Sequence, residues 1–397
     1  MALKYVDEIE LKGKKVIARF DFNVPLDKED RSKITDTTRI DEALETIRYI
    51  LDQGCSKLIL MSHLGRPDGE VNKKYSLEPV ATYLAEHLGQ EVTLTESCLD
   101  RGIKTLLTLN TNNIILLENL RFHKEEEAGD TEFAKALSEY ADIYVNDAFG
   151  TAHRKHASTY QINAYFKNRA VGGFLLKKEI QALEKVVEKP QKPFVAITGG
   201  AKVSDKIKII ERLLINVDSL IIGGAMAYPF LKAQGHSVGK SLCSDEDVKL
   251  AARLLKMSSA KKIVLPVDHV ASTEFAGAPQ NINSVDIPED LMALDIGPKS
   301  LELFRDKLAG AKTVLWNGPM GCFEEKDYAA GTFGVAKLLS ELNAFTLVGG
   351  GDSVSAVKKS GLAEKMSHVS TGGGASLEYL EQGTLPGIKA LKFGVDL

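Results

Sequence analysis

Short apolar runs alternate along this chain with polar or glycine-rich loops, and each loop leads into a stretch of helical period. The runs VIARF (16–20), KLILM (57–61), NIILLENL (113–120) and IYV (143–145) open onto DFNVP, SHLGRP, RFHKEEE and NDAFGTAHR. Further along, FVAI (194–197), SLII (219–222), IVLPV (263–267), TVLW (313–316), TLV (346–348) and HVS (368–370) open onto TGGAK, GGAM, DHVAS, NGPMG, GGGDS and TGGGAS. Unbroken Val, Ile and Leu runs mark strands buried on both faces, as in a parallel sheet. Ile40, Ala43, Leu44, Ile47, Ile50 and Leu51 follow the i, i+3, i+4 spacing of an amphipathic helix that Gly54 stops. Ile207, Ile210, Leu213 and Leu214 repeat that spacing after Lys206. The alternation predicts an α/β protein with right-handed crossovers. Ligands of such sheets bind outside the carboxyl ends of the strands, where all the polar loops fall.

At 397 residues the chain is long enough for two domains. A boundary is visible where the helical stretch 175–189 meets PQKP, because prolines stop a helix and stiffen its exit. The reading is a first domain over 1–174, a hinge helix and linker over 175–192, and a second domain over 193–377. The second domain opens with a strand, a Gly-Gly turn and a helix start carrying Lys202 and Lys206, one helical turn apart on one face. Glycine shifts with the boundary: 23 of the 33 glycines follow Thr198.

Composition narrows the partners. The formal net charge of −4 argues against a dedicated nucleic-acid binder. No apolar run approaches the roughly 18 residues that span a membrane, and the N-terminus shows no apolar signal core. Cys55, Cys98, Cys243 and Cys322 are scattered without a CxxC pair, which fits reduced thiols and a cytoplasmic setting.

The first-half loops carry Asp21 and Asn23, Arg39 at a helix start, His63 and Arg66, Arg121 at a strand end, and Arg154 between two histidines. Taken singly, each arginine reads best as a surface ion pair. Several such loops on one sheet edge point instead to a small polyanion, for which the planar guanidinium fork is suited. In the second half, GGGDS and TGGGAS each lie between a strand and a helix. Glycine lets backbone N–H groups approach phosphate, and the helix N-terminus adds partial positive charge. Asp352 is either a Mg²⁺ ligand or only the cap of its helix. QGHSVGKS (234–241) imitates a Walker A loop but has Gln234 where glycine is needed, so it reads as a structural turn. GxGxxG is absent, which argues against a nicotinamide enzyme.

Together these loops resemble phosphoglycerate kinases over essentially the whole chain. DFNVP, Arg39, SHLGRP, LENLRF, NDAFGTAHRKHAS, GGAKVSDK, GGAM, LPVD, NGPMG, GGGDS and TGGGAS stand in the family's order. The resemblance implies two Rossmann-like domains joined by a hinge helix, with a C-terminal segment (about 378–397) packed back on the first. It implies a monomer that binds 3-phosphoglycerate or 1,3-bisphosphoglycerate and ADP or ATP, with Mg²⁺ on the nucleotide. Carried over by motif, Asp21, Phe22, Asn23, Arg39, His63, Leu64, Gly65, Arg66, Arg121 and Arg154 would hold the glycerate substrate. Gly200, Ala201, Lys202, Lys206, Gly297, Asn317, Glu324, Gly350, Gly351, Asp352 and Ser353 would hold nucleotide, with Asp352 on the metal. Arg39, Lys202, Gly351 and Gly373 would serve the transferred phosphoryl. Ala225, Pro229 and His269 depart from the family pattern beside the nucleotide region.

Overall fold

The computed structural model describes residues 2–109, 111 and 113–396. The chain divides into two compact units, Met1–Gln181 with Thr384–Leu397, and Ala182–Gly383. The division falls inside the helix Phe174–Val187.

The first unit holds β1 (Lys15–Phe20), β2 (Lys57–Met61), β3 (Val92–Leu94), β4 (Ile114–Leu116), β5 (Ile143–Asp147) and β6 (Ala170–Gly172). They form one sheet in the order β3-β4-β2-β1-β5-β6, parallel throughout. The predicted strand 113–120 is shorter than its apolar run. It ends at Leu116, and Arg121 sits in a 3₁₀ turn, Leu120–Phe122. The central strands are buried on both faces, as their unbroken runs require. The helix Thr38–Asp52 packs Ile40, Ala43, Leu44, Ile47 and Ile50 against Val16, Ala18, Leu58 and Leu60. The helix Pro386–Phe393 closes this unit, where the Gly387 N–H donates to the Ala152 carbonyl at 2.8 Å.

The second unit holds β7 (Phe194–Thr198), β8 (Ser219–Ile222), β9 (Ile263–Val264), β10 (His269–Ser272), β11 (Gln280–Ile282), β12 (Met292–Ile296), β13 (Thr313–Asn317), β14 (Phe345–Val348) and β15 (His368–Val369). Six of these make a second parallel sheet, ordered β15-β14-β13-β7-β8-β9. Strand order reverses between the parallel neighbours β7 and β13, which is the switch point where such sheets bind ligands. The other three form an antiparallel sheet, β11-β10-β12, that the alternating pattern does not predict. Its strands are short, and β11 exposes Gln280 and Asn281, so no apolar run marks it.

A buried carboxyl anchors the helix that the division cuts. Asp147 ends β5 and accepts the Leu176 N–H at 2.9 Å, while Thr46 Oγ1 accepts the Phe174 N–H at 2.9 Å. A Cβ on Gly173 would stand 2.2 Å from the Asp147 carboxyl carbon, so only glycine fits there. Burial pushes the Asp147 pKa up to about 7. The native state therefore keeps a proton that the unfolded chain loses near the ordinary carboxyl pKa of about 4. The resulting stabilisation is complete below that value and declines as pH rises towards 7. In Asp147→Asn this decline should be weaker; urea midpoints measured between pH 4 and 7.5 check it. Identical profiles for both proteins would remove Asp147 as the titrating group.

Candidate active site

In the first unit, the carboxyl ends of β1, β2, β4 and β5 bring the expected polar residues to one edge. Arg39 Nη1 lies 3.2 Å from both Asp21 oxygens and donates to the Asn23 carbonyl at 3.0 Å. Asn23 Oδ1 accepts the Gly65 N–H at 2.8 Å, and the Gly65 carbonyl accepts Arg121 Nη1 at 2.9 Å. These bonds hold two loops and two guanidinium groups in one frame. Gly65 has φ +64°, and a Cβ there would meet the Tyr75 ring at 2.4 Å. Arg66 and Arg154 are exposed, and Arg154 Nε donates to His153 Nε2 at 3.2 Å.

Two expected substrate residues enter differently. Phe22 is fully buried, its ring stacked on Phe20 at 5.4 Å, its N–H given to Ser62 Oγ and its carbonyl to the Val24 N–H. Leu64 is also core, and its carbonyl accepts Asn119 Nδ2 at 2.7 Å. Both support the loops; neither presents its side chain at the surface.

Sequence reasoning missed the layer beneath. Arg19, Glu126 and Ser158 are fully buried, and His156 is nearly so. Burial and the charges of Arg19, Arg121 and Arg39 hold His63 well below the usual histidine range. Burial and the same positive field, from Arg121, Arg19 and Arg154, bring His156 down to about 3. Both imidazoles are neutral at pH 7 and add no charge to the cluster. A charged residue inside the run VIARF was the available signal.

In the second unit, Lys206 occupies the switch point. Its Nζ donates to the carbonyls of Gly199 (2.9 Å) and Asn317 (3.2 Å), which follow β7 and end β13. Lys202 and Lys206 are not on one helical face, contrary to expectation. Val203 is buried, and the Ser204 N–H is held by Asp247 Oδ1 at 2.8 Å. The α-helix therefore begins only at Ile207, after a 3₁₀ turn at Ser204–Lys206. Lys202 is exposed.

Asp352 is exposed in the first turn of the helix Gly351–Lys359, whose cap position is Gly350. Its capping alternative thus falls away. Gly350 has φ +89°, and a Cβ would stand 2.6 Å from Asn317 Nδ2. Asn317 Nδ2 donates to the Gly349 carbonyl at 2.8 Å, while its buried Oδ1 has no hydrogen-bond partner among the described residues. Ser353 Oγ accepts the Gly318 N–H. Gly373, with φ +52°, precedes the helix Gly374–Gln382.

A cavity of about 500 Å³ lies beside these groups. Ala225, Tyr228, Leu242, Leu294 and Cys322 make it largely apolar, and Gly200, Ala201, Lys240, Glu324 and Asp352 supply its polar rim. Gly297 is not in this lining; it packs on Asp268, whose carboxylate takes the Lys299 and Ser300 N–H groups of the helix it starts. Of the departures from the family pattern, Ala225 reaches the cavity. Pro229 and His269 are buried outside its lining, and His269 Nε2 contacts the Val285 carbonyl at 3.2 Å.

Comparison with known proteins decides the family. A phosphoglycerate kinase family model matches residues 6–383. The chain belongs to the phosphoglycerate kinase family. It is 52% identical to the phosphoglycerate kinase of Anaeromyxobacter dehalogenans, over 98% of this chain and 99% of that protein. It is 50% identical to that of Borrelia turicatae, over 99% of this chain and 100% of that protein. The solved phosphoglycerate kinase from Coxiella burnetii aligns with a TM-score of 0.90 at 40% identity, over 98% of this chain and 99% of that one. The chain is accordingly a phosphotransferase with a carboxyl acceptor. The family's glycolytic reaction is 1,3-bisphosphoglycerate + ADP ⇌ 3-phosphoglycerate + ATP.

Burial lowers the Lys206 pKa to about 8, against the opposing pull of Asp352 and Asp205. Titration of the labelled lysine amine by NMR should place Lys206 near that value in the free protein. Asp352→Asn should move it lower still. A value in the ordinary lysine range would contradict this account of its surroundings.

Proposed function

We propose that the first-unit edge holds the glycerate substrate and the second-unit edge holds ADP or ATP. Asn23, Arg39, His63, Arg66, Arg121 and Arg154 bind phosphate and carboxylate oxygens, and Asp21 orients Arg39. The apolar cavity takes the nucleoside, with Gly200, Ala201 and Glu324 at its rim. Lys202, Lys206, Asn317, Gly350, Gly351 and Ser353 serve the phosphates. Gly297 supports that region through its helix. The observation that carries this reading is Lys206: a half-buried ammonium group at a sheet switch point, beside an open glycine-started helix and a cavity of nucleotide size.

The donor set fits Mg²⁺ carried by the nucleotide. Among the described residues no three His, Cys, Asp or Glu side chains converge as a cage, whereas Asp352 is exposed on the cavity rim. One carboxylate together with substrate phosphates is how this ion is commonly held. Bound there, Mg²⁺ neutralises phosphate charge.

The reacting nucleophile is ionised in both directions, a β-phosphate oxygen of ADP or the carboxylate of 3-phosphoglycerate. No general base is required. The chain's task is alignment and cancellation of charge spread over the moving phosphoryl. Arg39 and Lys202 supply positive charge, and the amides of Gly351 and Gly373 supply N–H donors. These groups belong to different units, so transfer takes place on closure about the connecting helix. The protein works as a cytoplasmic monomer, and no helix among the described residues is long and apolar enough to cross a membrane.

A coupled assay with ATP and 3-phosphoglycerate tests the activity. Arg39→Ala should lower turnover at least ~100-fold, the scale of losing one charge-stabilising group, and leave nucleotide affinity nearly intact. A main effect on nucleotide affinity would put Arg39 in the wrong half-site. Chiral thiophosphate should be transferred with inversion at phosphorus; retention would establish a phosphoenzyme. Small-angle scattering should show compaction in the ternary complex, and an unchanged radius would count against closure.

A further inference from the structure

Beneath the arginine loops of the first unit runs a buried relay in which every hydrogen bond has a forced direction. Glu126 Oε2 accepts the Ser158 N–H at 3.0 Å, and Oε1 accepts the Ser158 hydroxyl at 2.6 Å. That hydroxyl oxygen also lies 3.0 Å from Arg19 Nε. An arginine nitrogen can donate but has no lone pair to accept with. Ser158 Oγ therefore accepts from Arg19, and its own proton goes to Glu126. Arg19 Nη1 donates to the Phe20 carbonyl, and Nη2 lies 3.0 Å from His63 Nδ1. By the same argument His63 Nδ1 is the acceptor. A neutral imidazole has a single N–H, which must then be on Nε2.

We propose that Arg19, oriented by Ser158 and Glu126, is a positioning residue that fixes His63 as the Nε2–H tautomer, a neutral donor to an anionic oxygen of 3-phosphoglycerate. The proposal rests on the assignment of His63 to the glycerate substrate made above. The opposite tautomer would present a lone pair at Nε2 and repel that oxygen. A protonated ring would lose the Arg19 bond, because two donors would then face each other. The arginines around His63 work in the same sense by disfavouring its protonation. Arg19 is thus used for the orientation and proton position of its neighbour, and it needs no contact with the substrate.

The tautomer is read directly from long-range ¹H–¹⁵N correlation spectra of the full chain labelled on its histidines. Wild-type His63 should give an Nε2–H pattern that persists from pH 6 to 8. An Nδ1–H or doubly protonated pattern overturns the proposal without any variant. Arg19→Met with Glu126→Gln removes the donor together with the carboxylate it would leave unpaired. In that protein the Nδ1–H form should become populated. The KM for 3-phosphoglycerate should rise ~10-fold or more, the scale of losing a hydrogen bond to a charged group, with the KM for ATP little changed. If the double variant does not fold, Ser158→Ala provides the same readouts with a smaller change of volume. A folded double variant with wild-type His63 spectra overturns the role of Arg19, and the same outcome in Ser158→Ala overturns its orientation by Ser158. Addition of 3-phosphoglycerate should shift the His63 Nε2 signals; unmoved signals with the expected tautomer would refute the substrate assignment alone.

Discussion

Positive charge held at the carboxyl ends of parallel strands is the constraint on which the rest of this structure depends. A parallel sheet gathers those ends on one edge, where carbonyl oxygens are available to receive a cation's protons. Lys206 uses the carbonyls of Gly199 and Asn317 in this way. Arg39 uses Asn23, Arg121 uses Gly65, and Arg19 uses Phe20. Carbonyls stabilise a cation without cancelling its charge; Arg39 and Arg121 add one carboxylate each, Asp21 at 3.2 Å and Glu127 at 3.4 Å. The cost of drawing these groups out of water is met while their attraction for an anionic ligand is kept. Burial is graded to match: Arg19 is fully enclosed, Arg121 is buried, Lys206 is half-buried, and Lys202, Arg66 and Arg154 are exposed.

Much of this architecture was legible in the pattern of residues. The parallel strands announced themselves because burial on both faces demands unbroken Val, Ile and Leu. The loops announced themselves because Arg, His and Gly are costly in such positions unless a ligand or a turn needs them. Three things were not legible. The antiparallel sheet β11-β10-β12 is built from short strands, and polar, exposed β11 carries no apolar signature. The start of the helix after Lys202 is set by Asp247, which holds the Ser204 N–H from more than forty residues away. The support beneath His63 joins β1, the helix Lys124–Ala128 and the segment after NDAFG, which only the fold brings together.

Motif resemblance also blurred a distinction that the structure makes plain. Phe22 and Leu64 belong to the motifs as firmly as Asn23 and Arg66 do, yet their side chains are core. A loop is built from its buried anchors as well as from its exposed groups. Gly297 illustrates the same point, since a side chain there would collide with the carboxylate that caps the following helix.

The two units also differ in how the ribosome delivers them. The second, Ala182–Gly383, is one continuous stretch, whereas the first takes its last piece from Thr384–Leu397. The bond from Gly387 to Ala152 therefore cannot form until the whole second unit has been synthesised. The second unit can finish folding on a nascent chain while the first still waits for its closing helix, a long-range contact that carries a large loop-closure entropy. Of the two, the unit made first is the one completed last.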